Sequence, residues 1–289
     1  MITHTDLEVA GPWSLATSRA FWEGFAPAAL PEQNTSDELR TTFLVEDDWS
    51  VATATVTQDG ATARISAAGE GDLTAATAQI ARFLSLDVDA HGWAGVGERD
   101  PIIGAAQARL PGLRPCGFHS PYEAGAWAVL SQRLRITQAA RMRDDLIRKY
   151  GHDGAFPTPD VLRNLDLDLP GRKTEYLHAV AEAALDRVLD GARLRDLDPE
   201  AAIAQVQQVK GLGPFAAELV VLRGANHPDA IPHHEARLNA EIGEQYGAGT
   251  TLADVADAWR PYRTWACVHL RIMREYRTHE ISGPPGRPS

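Results

Sequence analysis

The chain has 289 residues, 44% of them hydrophobic and 23% charged, with a formal net charge of −11. That is the make-up of a soluble globular protein with room for two modest domains. No apolar run approaches the ~20 residues that span a bilayer, and the start MITHTDLEVAG lacks a basic region ahead of an apolar core, so a cytoplasmic protein without membrane association is expected.

The cysteine count of 2, Cys116 and Cys267, excludes a zinc or iron–sulfur site that needs four thiolates, and a reduced buried pair is expected. The acidic balance argues against non-specific nucleic-acid binding over the whole surface, but leaves room for a local basic face.

In chain order, residues 14–25 read as a helix, with Ser14 or Thr17 as cap and Leu15, Phe21, Trp22 and Phe25 on its apolar side. Residues 41–45 read as a strand. Residues 49–57 alternate, Gln58-Asp59-Gly60-Ala61 turns, and 62–67 returns, the pattern of a hairpin with an Asp-Gly signal. Residues 74–86 follow as an amphipathic helix with Ile80, Phe83 and Leu84 on one side. Residues 1–90 are therefore expected to form a small α/β domain, an antiparallel sheet plus helices, in a supporting role.

Beyond Asp87 the strand signals fade. Residues 101–109, 121–135, 136–150, 159–165, 173–189, 199–209, 215–224, 235–246, 251–259 and 264–280 read as helices joined by Gly/Pro turns. Residues 91–281 are expected to be an all-α domain, so the chain as a whole is α+β. The tail 282–289, SGPPGRPS, has no apolar material to pack and is expected to be disordered.

One stretch organises the rest: residues 209–238, VKGLGPFAAELVVLRGANHPDAIPHHEARL. Gly211-Leu212-Gly213-Pro214 stands directly before a helix-forming run. Such a turn exposes backbone N–H groups at a helix N-terminus, which favours an anion such as a phosphate. Taken alone, the turn also fits an ordinary joint between two helices. The helix ends near Gly224-Ala225-Asn226, and a polar loop, His227 to His234, leads to Glu235 at the start of the next helix.

The whole stretch resembles the helix-hairpin-helix plus Gly/Pro-Asp motif of the DNA glycosylase superfamily, in particular its AlkA-like DNA-3-methyladenine glycosylase II group. Arg114-Pro115, Ser120-Pro121-Tyr122-Glu123-Ala124 and Trp127-Ala128-Val129-Leu130-Ser131-Gln132 resemble that group's opening helix. Trp259-Arg260-Pro261-Tyr262-Arg263-Thr264-Trp265-Ala266 resembles its closing helix, so the resemblance covers most of the chain after Arg82.

It implies a partner, double-stranded DNA containing damaged bases, contacted by Lys210, Gly211, Leu212 and Gly213. A monovalent cation is implied at the hairpin when DNA is bound, with no other cofactor, no metal site and a monomeric chain. The activity implied is base-excision repair: hydrolysis of the N-glycosidic bond of alkylated purines without lyase chemistry, because the slot of an attacking lysine holds Phe215. The alternative is a lesion-binding protein of the same fold with weak or no chemistry.

Breaking that bond requires extruding the nucleotide and steadying a sugar that turns cationic as the base departs. A carboxylate beside the sugar offsets that charge and can orient water. By position the catalytic candidate is Glu235, where the group carries aspartate; the other reading is that Glu235 caps the following helix. Asp229 matches the structural acid that precedes it, while Glu218 reads as a solvated or capping residue.

Phe215 can stack on a flipped base or belong to the core. Gln132 and Arg133 occupy the turn that fills the gap left by the extruded nucleotide, Arg133 standing where an apolar residue is usual. The following segment, with Arg135, Arg141, Arg143, Arg148 and Lys149, is locally basic, as a DNA-facing or merely solvated helix face would be. Arg271 stands where the best-known members sandwich the base with tryptophan. Trp259, Tyr262 and Trp265 are candidates to take over that ring's role, or core residues.

Overall fold

The Asp-Gly turn closes β3 (Val51–Asp59) onto β4 (Thr62–Gly69), in register from Ala52↔Gly69 to Asp59↔Thr62. Gly60 lies at φ +58°, the left-handed geometry that such a short turn requires. With β1 (Ile2–Glu8) and β2 (Glu38–Leu44) these strands form one antiparallel sheet in the order β1-β4-β3-β2. The structure, a computed structural model, describes residues 1–24 and 37–280. The expected helix end at Phe25 and the expected disordered tail lie outside these described residues.

β1 carries no strand signal in the sequence because Thr3, His4, Thr5 and Asp6 are polar. It exists through backbone pairing with β4, Ile2↔Ala68 to Glu8↔Thr62. On the inner face of the sheet Phe43, Val56 and Ile65 pack with Ile80 and Phe83 of α2 (Leu73–Phe83) and Trp22 of α1 (Leu15–Glu23). Asp72 caps α2 by accepting from the amides of Thr74 and Ala75 at 2.8 and 3.0 Å.

Helices follow: α3 (Trp93–Arg99), α4 (Pro101–Arg109), α5 (Pro121–Ser131), α6 (Ile136–Tyr150), α7 (Pro159–Leu162), α8 (Lys173–Leu185), α9 (Gly191–Asp196), α10 (Pro199–Gln207), α11 (Pro214–Leu219), α12 (Ala236–Tyr246), α13 (Leu252–Ala256) and α14 (Arg263–Thr278). Proline opens α4, α5, α7, α10 and α11, which is why their starts were legible: its missing N–H is one the helix leaves unused there.

Several expected helices end early, some of them just before a residue in the left-handed conformation. Residues 121–135 stop at Ser131 because Arg133 takes φ +57°, and 173–189 stop at Leu185, with Arg187 at φ +59°. The short α3 and α9 had no expectation, since so few residues show little periodicity.

α5 is buried from Pro121 to Leu130 and forms the axis of the helical part, packed against α6, α8 and α11. The chain doubles back so that Trp93 of α3 and Ile103 of α4 share a core with Ile242 of α12 and Trp265 of α14. Sheet and helices are joined by buried polar groups. The fully buried Arg114 guanidinium donates to the carbonyls of Ser85 at 2.7 Å, Val88 at 2.9 Å and Pro12 at 3.1 Å, and also to that of Ala10. Cys116 and Cys267 are both buried free thiols, and burial pushes Cys116 up to about 12.

Candidate nucleic-acid interface and active site

α10 and α11 form the two arms of a hairpin. Gly211 turns it at φ +94°, with its Cα against the Tyr176 ring. A Cβ there would meet Tyr176 Cγ at 2.5 Å, whereas a Cβ on Gly213 would meet nothing within 4 Å. Gly213 is exposed directly before Pro214, and the Gly211 and Gly213 amides donate to nothing among the described residues. The open amides and the helix start make the anion-binding geometry expected of this turn.

Leu212 corrects the expectation of DNA contact. Its side chain is buried beneath the turn and its amide donates to Val209 O at 3.0 Å, so it anchors the hairpin instead. Lys210 is half exposed on the same turn, in an ion pair with Glu175, which also accepts from Arg172 Nη2 at 2.8 Å. These two cations hold the Glu175 carboxyl down at about 2.

The turn between α5 and α6 reaches the hairpin directly, because Gln132 Nε2 donates to Gly211 O at 2.9 Å. Arg133 is exposed at the tip of this turn. Lys173, at the start of α8, braces it from below: its buried ammonium donates to the carbonyls of Val129, Leu130 and Gln132 at 2.7, 2.9 and 2.9 Å. Burial lowers its pKa. That brace is invisible in the sequence, since its partners are main-chain carbonyls distant along the chain. The basic segment beyond is thinner than its composition suggests: Arg143 is buried against Glu123 at 3.4 Å, and Arg148 pairs with Asp145.

α11 runs into a wider π-helical turn, Val220–Gly224. Beyond it Asn226, at φ +55°, is buried and donates to Arg82 O at 2.7 Å, Ser85 Oγ at 2.8 Å and Pro115 O at 3.1 Å. Asp229 then fixes the loop to α14: Oδ1 accepts from Arg263 N at 3.0 Å and Nε at 2.9 Å, and Oδ2 pairs with Arg260 at 3.1 Å. It is the structural acid expected at this point.

Glu218 is not solvated, as its position suggested. It is buried on α11 and accepts from the amides of His233 and His234 at 3.1 and 3.0 Å and pairs with His234 Nδ1 at 2.7 Å, tying the loop to the hairpin helix. Phe215, half exposed, lies one turn before it on α11.

Glu235 is held next to these residues. Its carboxylate caps α12, accepting from Arg237 N at 3.2 Å and Leu238 N at 2.8 Å, and pairs with Arg271 Nε of α14 at 2.7 Å. The cap expected as the alternative role is therefore present. It leaves the carboxylate partly exposed, 22% of the side chain.

Arg271 is lowered from the usual guanidinium range by burial, against the pull of Glu235. Its Nη1 is buried without a hydrogen-bond partner among the described residues. Arg223, from the π-helical turn, lies over the Phe21 ring at 5.2 Å and donates to Cys116 O at 2.5 Å. Burial, with a smaller push from Arg271, brings it down to about 10.

The tryptophan expectation is corrected. Trp259 is fully buried and its indole N–H donates to Asp100 Oδ2 at 2.7 Å, leaving no face for a base. Tyr262 donates to Asp89 O at 2.8 Å, and both it and Trp265 are buried in the same core. Among the described residues no group of three or more His, Cys, Asp or Glu side chains is arranged to hold a metal ion, and no helix is long and apolar enough to cross a membrane.

A helical hairpin with open glycine amides, braced against a turn on one side and a carboxylate-bearing loop on the other, defines a helix-hairpin-helix protein of the DNA glycosylase fold. The chain's overall path agrees: a 3-methyladenine DNA glycosylase from Archaeoglobus fulgidus superposes with a TM-score of 0.73 at 16% identity, over 96% of this chain and 99% of that one. Among proteins of that fold, its sequence relatives are AlkA-like, as the resemblance implied.

A probable bifunctional transcriptional activator/DNA repair enzyme AlkA of Mycobacterium tuberculosis is 29% identical over 225 residues, 72% of this chain. The chain spans under half of that protein, 45% of its length. DNA-3-methyladenine glycosylase 2 of Escherichia coli is 29% identical over 194 residues, 62% of this chain and 66% of that protein. No protein-family model matches the chain.

Proposed function

We propose that the protein is a monofunctional DNA glycosylase of base-excision repair, hydrolysing the N-glycosidic bond of alkylated purines in duplex DNA. The observation that carries this reading is the tie from Glu218 of the hairpin helix to the His233 and His234 amides, which fastens the loop bearing the partly exposed Glu235 to the hairpin whose glycine amides are unpaired among the described residues. The relatives' names, DNA-3-methyladenine glycosylase among them, support it.

In this reading the Gly211 and Gly213 amides and Lys210 grip the phosphates of the damaged strand, and Lys210 exchanges Glu175 for phosphate. Arg133 enters the gap left by the extruded nucleotide, where a guanidinium can stack and hydrogen-bond the orphaned base. Phe215 packs on the extruded base. Glu235 steadies positive charge on the sugar and orients the water that attacks it. A monovalent cation fits the oxygen donors of the hairpin: Val209 O and Gly211 O each accept one hydrogen bond and keep a second lone pair. Such a cation would neutralise phosphate charge. Phe215 offers no amine, so strand cleavage through a Schiff base is not part of the proposal.

The test is base release from alkylated duplex DNA under single-turnover conditions. Glu235→Gln, which can still accept hydrogen bonds at the cap, is expected to slow release about 100-fold or more while binding persists. Binding without release by the wild type, unchanged in Glu235→Gln, would instead support a non-catalytic lesion-binding role.

A further inference from the structure

Arg271 carries more than its ion pair explains. Its Nε holds Glu235 Oε2 at 2.7 Å, yet Nη1 is buried with no acceptor among the described residues. A buried donor left unpaired is costly, and it points to an acceptor that arrives from outside the chain. Arg223 and Arg237 bring further positive charge to this part of the site, against Glu235 and against Glu280, which is paired to Arg274 at 2.6 Å and to Arg237 at 3.5 Å. Trp259, Tyr262 and Trp265 are all in the core, which leaves Phe215 as the exposed ring of the hairpin helix.

We propose that Arg271 is the base-facing donor of this site, and that it selects neutral alkylated purines with a ring-nitrogen or exocyclic acceptor over cationic ones. The inference rests on the glycosylase reading above. A cationic purine leaves as a neutral base and needs no donor; beside Arg271 it also meets like charge. A neutral purine leaves with the electron pair of the C1′–N9 bond, and a guanidinium N–H offsets the negative charge that develops.

As that bond breaks, water oxygen bonds to C1′, and a water proton passes to Glu235 and on to solvent. The departing base takes its proton from solvent, because a guanidinium does not give one up. Arg271 contributes a hydrogen bond and charge. Its ion pair with Glu235 fixes where that carboxylate stands.

The experiment compares single-turnover release of 1,N6-ethenoadenine, neutral, and 7-methylguanine, cationic, from otherwise identical duplexes, each as enhancement over its spontaneous rate. The wild type is expected to enhance release of the neutral base at least about tenfold more. Arg271→Met is expected to lower that enhancement about 100-fold and the one for 7-methylguanine much less, since the cationic base loses only the positioning of Glu235. If Arg271→Met fails to fold, Arg271→Lys, which keeps the charge without the planar fork, is expected to lose most of the neutral-base enhancement. Greater enhancement on 7-methylguanine by the wild type, or equal losses on both bases in the variants, overturns the inference alone. Release of neither base by the wild type overturns the glycosylase reading and this inference with it.

Discussion

Gly211 and Gly213 do different work although they stand two positions apart. Gly211 is fixed by its own backbone and by Tyr176, so Gly211→Ala damages the turn itself. At Gly213 the added methyl meets nothing in the protein and φ is −77°, so any effect comes from what approaches from outside. Gly213→Ala is expected to leave thermal stability unchanged and to weaken duplex binding about tenfold by holding a phosphate off the amide. Fluorescence anisotropy against labelled duplex measures it; equal affinity would reject phosphate contact through this amide.

The glycine turn and Glu235 were legible because their chemistry is written in local sequence. Glu218 was misjudged, and the ion pair of Arg271 with Glu235 was not foreseen, because the partners lie elsewhere in the chain. Trp259 shows the opposite failure: helical spacing of aromatics marks burial, and here burial wins entirely.

At the scale of elements, the interface is a set of braced parts. α8 holds the turn after α5 through Lys173, that turn holds the hairpin through Gln132, and α11 holds the carboxylate loop through Glu218. Lys173→Met leaves the carbonyls of Val129, Leu130 and Gln132 without their ammonium donor, and is expected to cost about 3 kcal/mol in denaturant unfolding. A change below about 0.5 kcal/mol would show that water replaces the brace. Helix starts were visible in the sequence through proline and capping acids. Helix ends at Ser131 and Leu185 were not, because the left-handed residues that follow them, Arg133 and Arg187, are not residue types that announce that conformation.

Over the whole molecule, the small sheet and the helical part are locked by groups that composition cannot reveal. Arg114 and Asn226 are buried on main-chain carbonyls from both parts, and β1 is held by pairing with β4 and by Leu7 against the sheet's core. The acidic total and the absence of a four-cysteine set were legible at once; the fold came from the resemblance and from periodicity together.

One buried histidine makes global stability depend on pH. Burial in the core shared by α3 and α14 brings His269 from its ordinary 6.5 to about 4. The folded value lies below the unfolded one, so the unfolded chain takes up the proton first as pH falls. The stabilisation is whole above pH 6.5 and is lost on the way down to about 4, up to about 3 kcal/mol. Denaturant unfolding of wild type and His269→Gln across that interval measures it; parallel acid limbs would contradict it.

Whether Glu235 faces the sugar while the hairpin amides hold the strand is read straight from a structure of the protein on a duplex carrying a cationic abasic-site mimic. The Glu235 carboxylate is expected at about 3 Å from the mimic's positive nitrogen, or one water away, with a phosphate on the Gly213 amide. A carboxylate still turned to the Arg237 and Leu238 amides, with the mimic bound elsewhere, would contradict it.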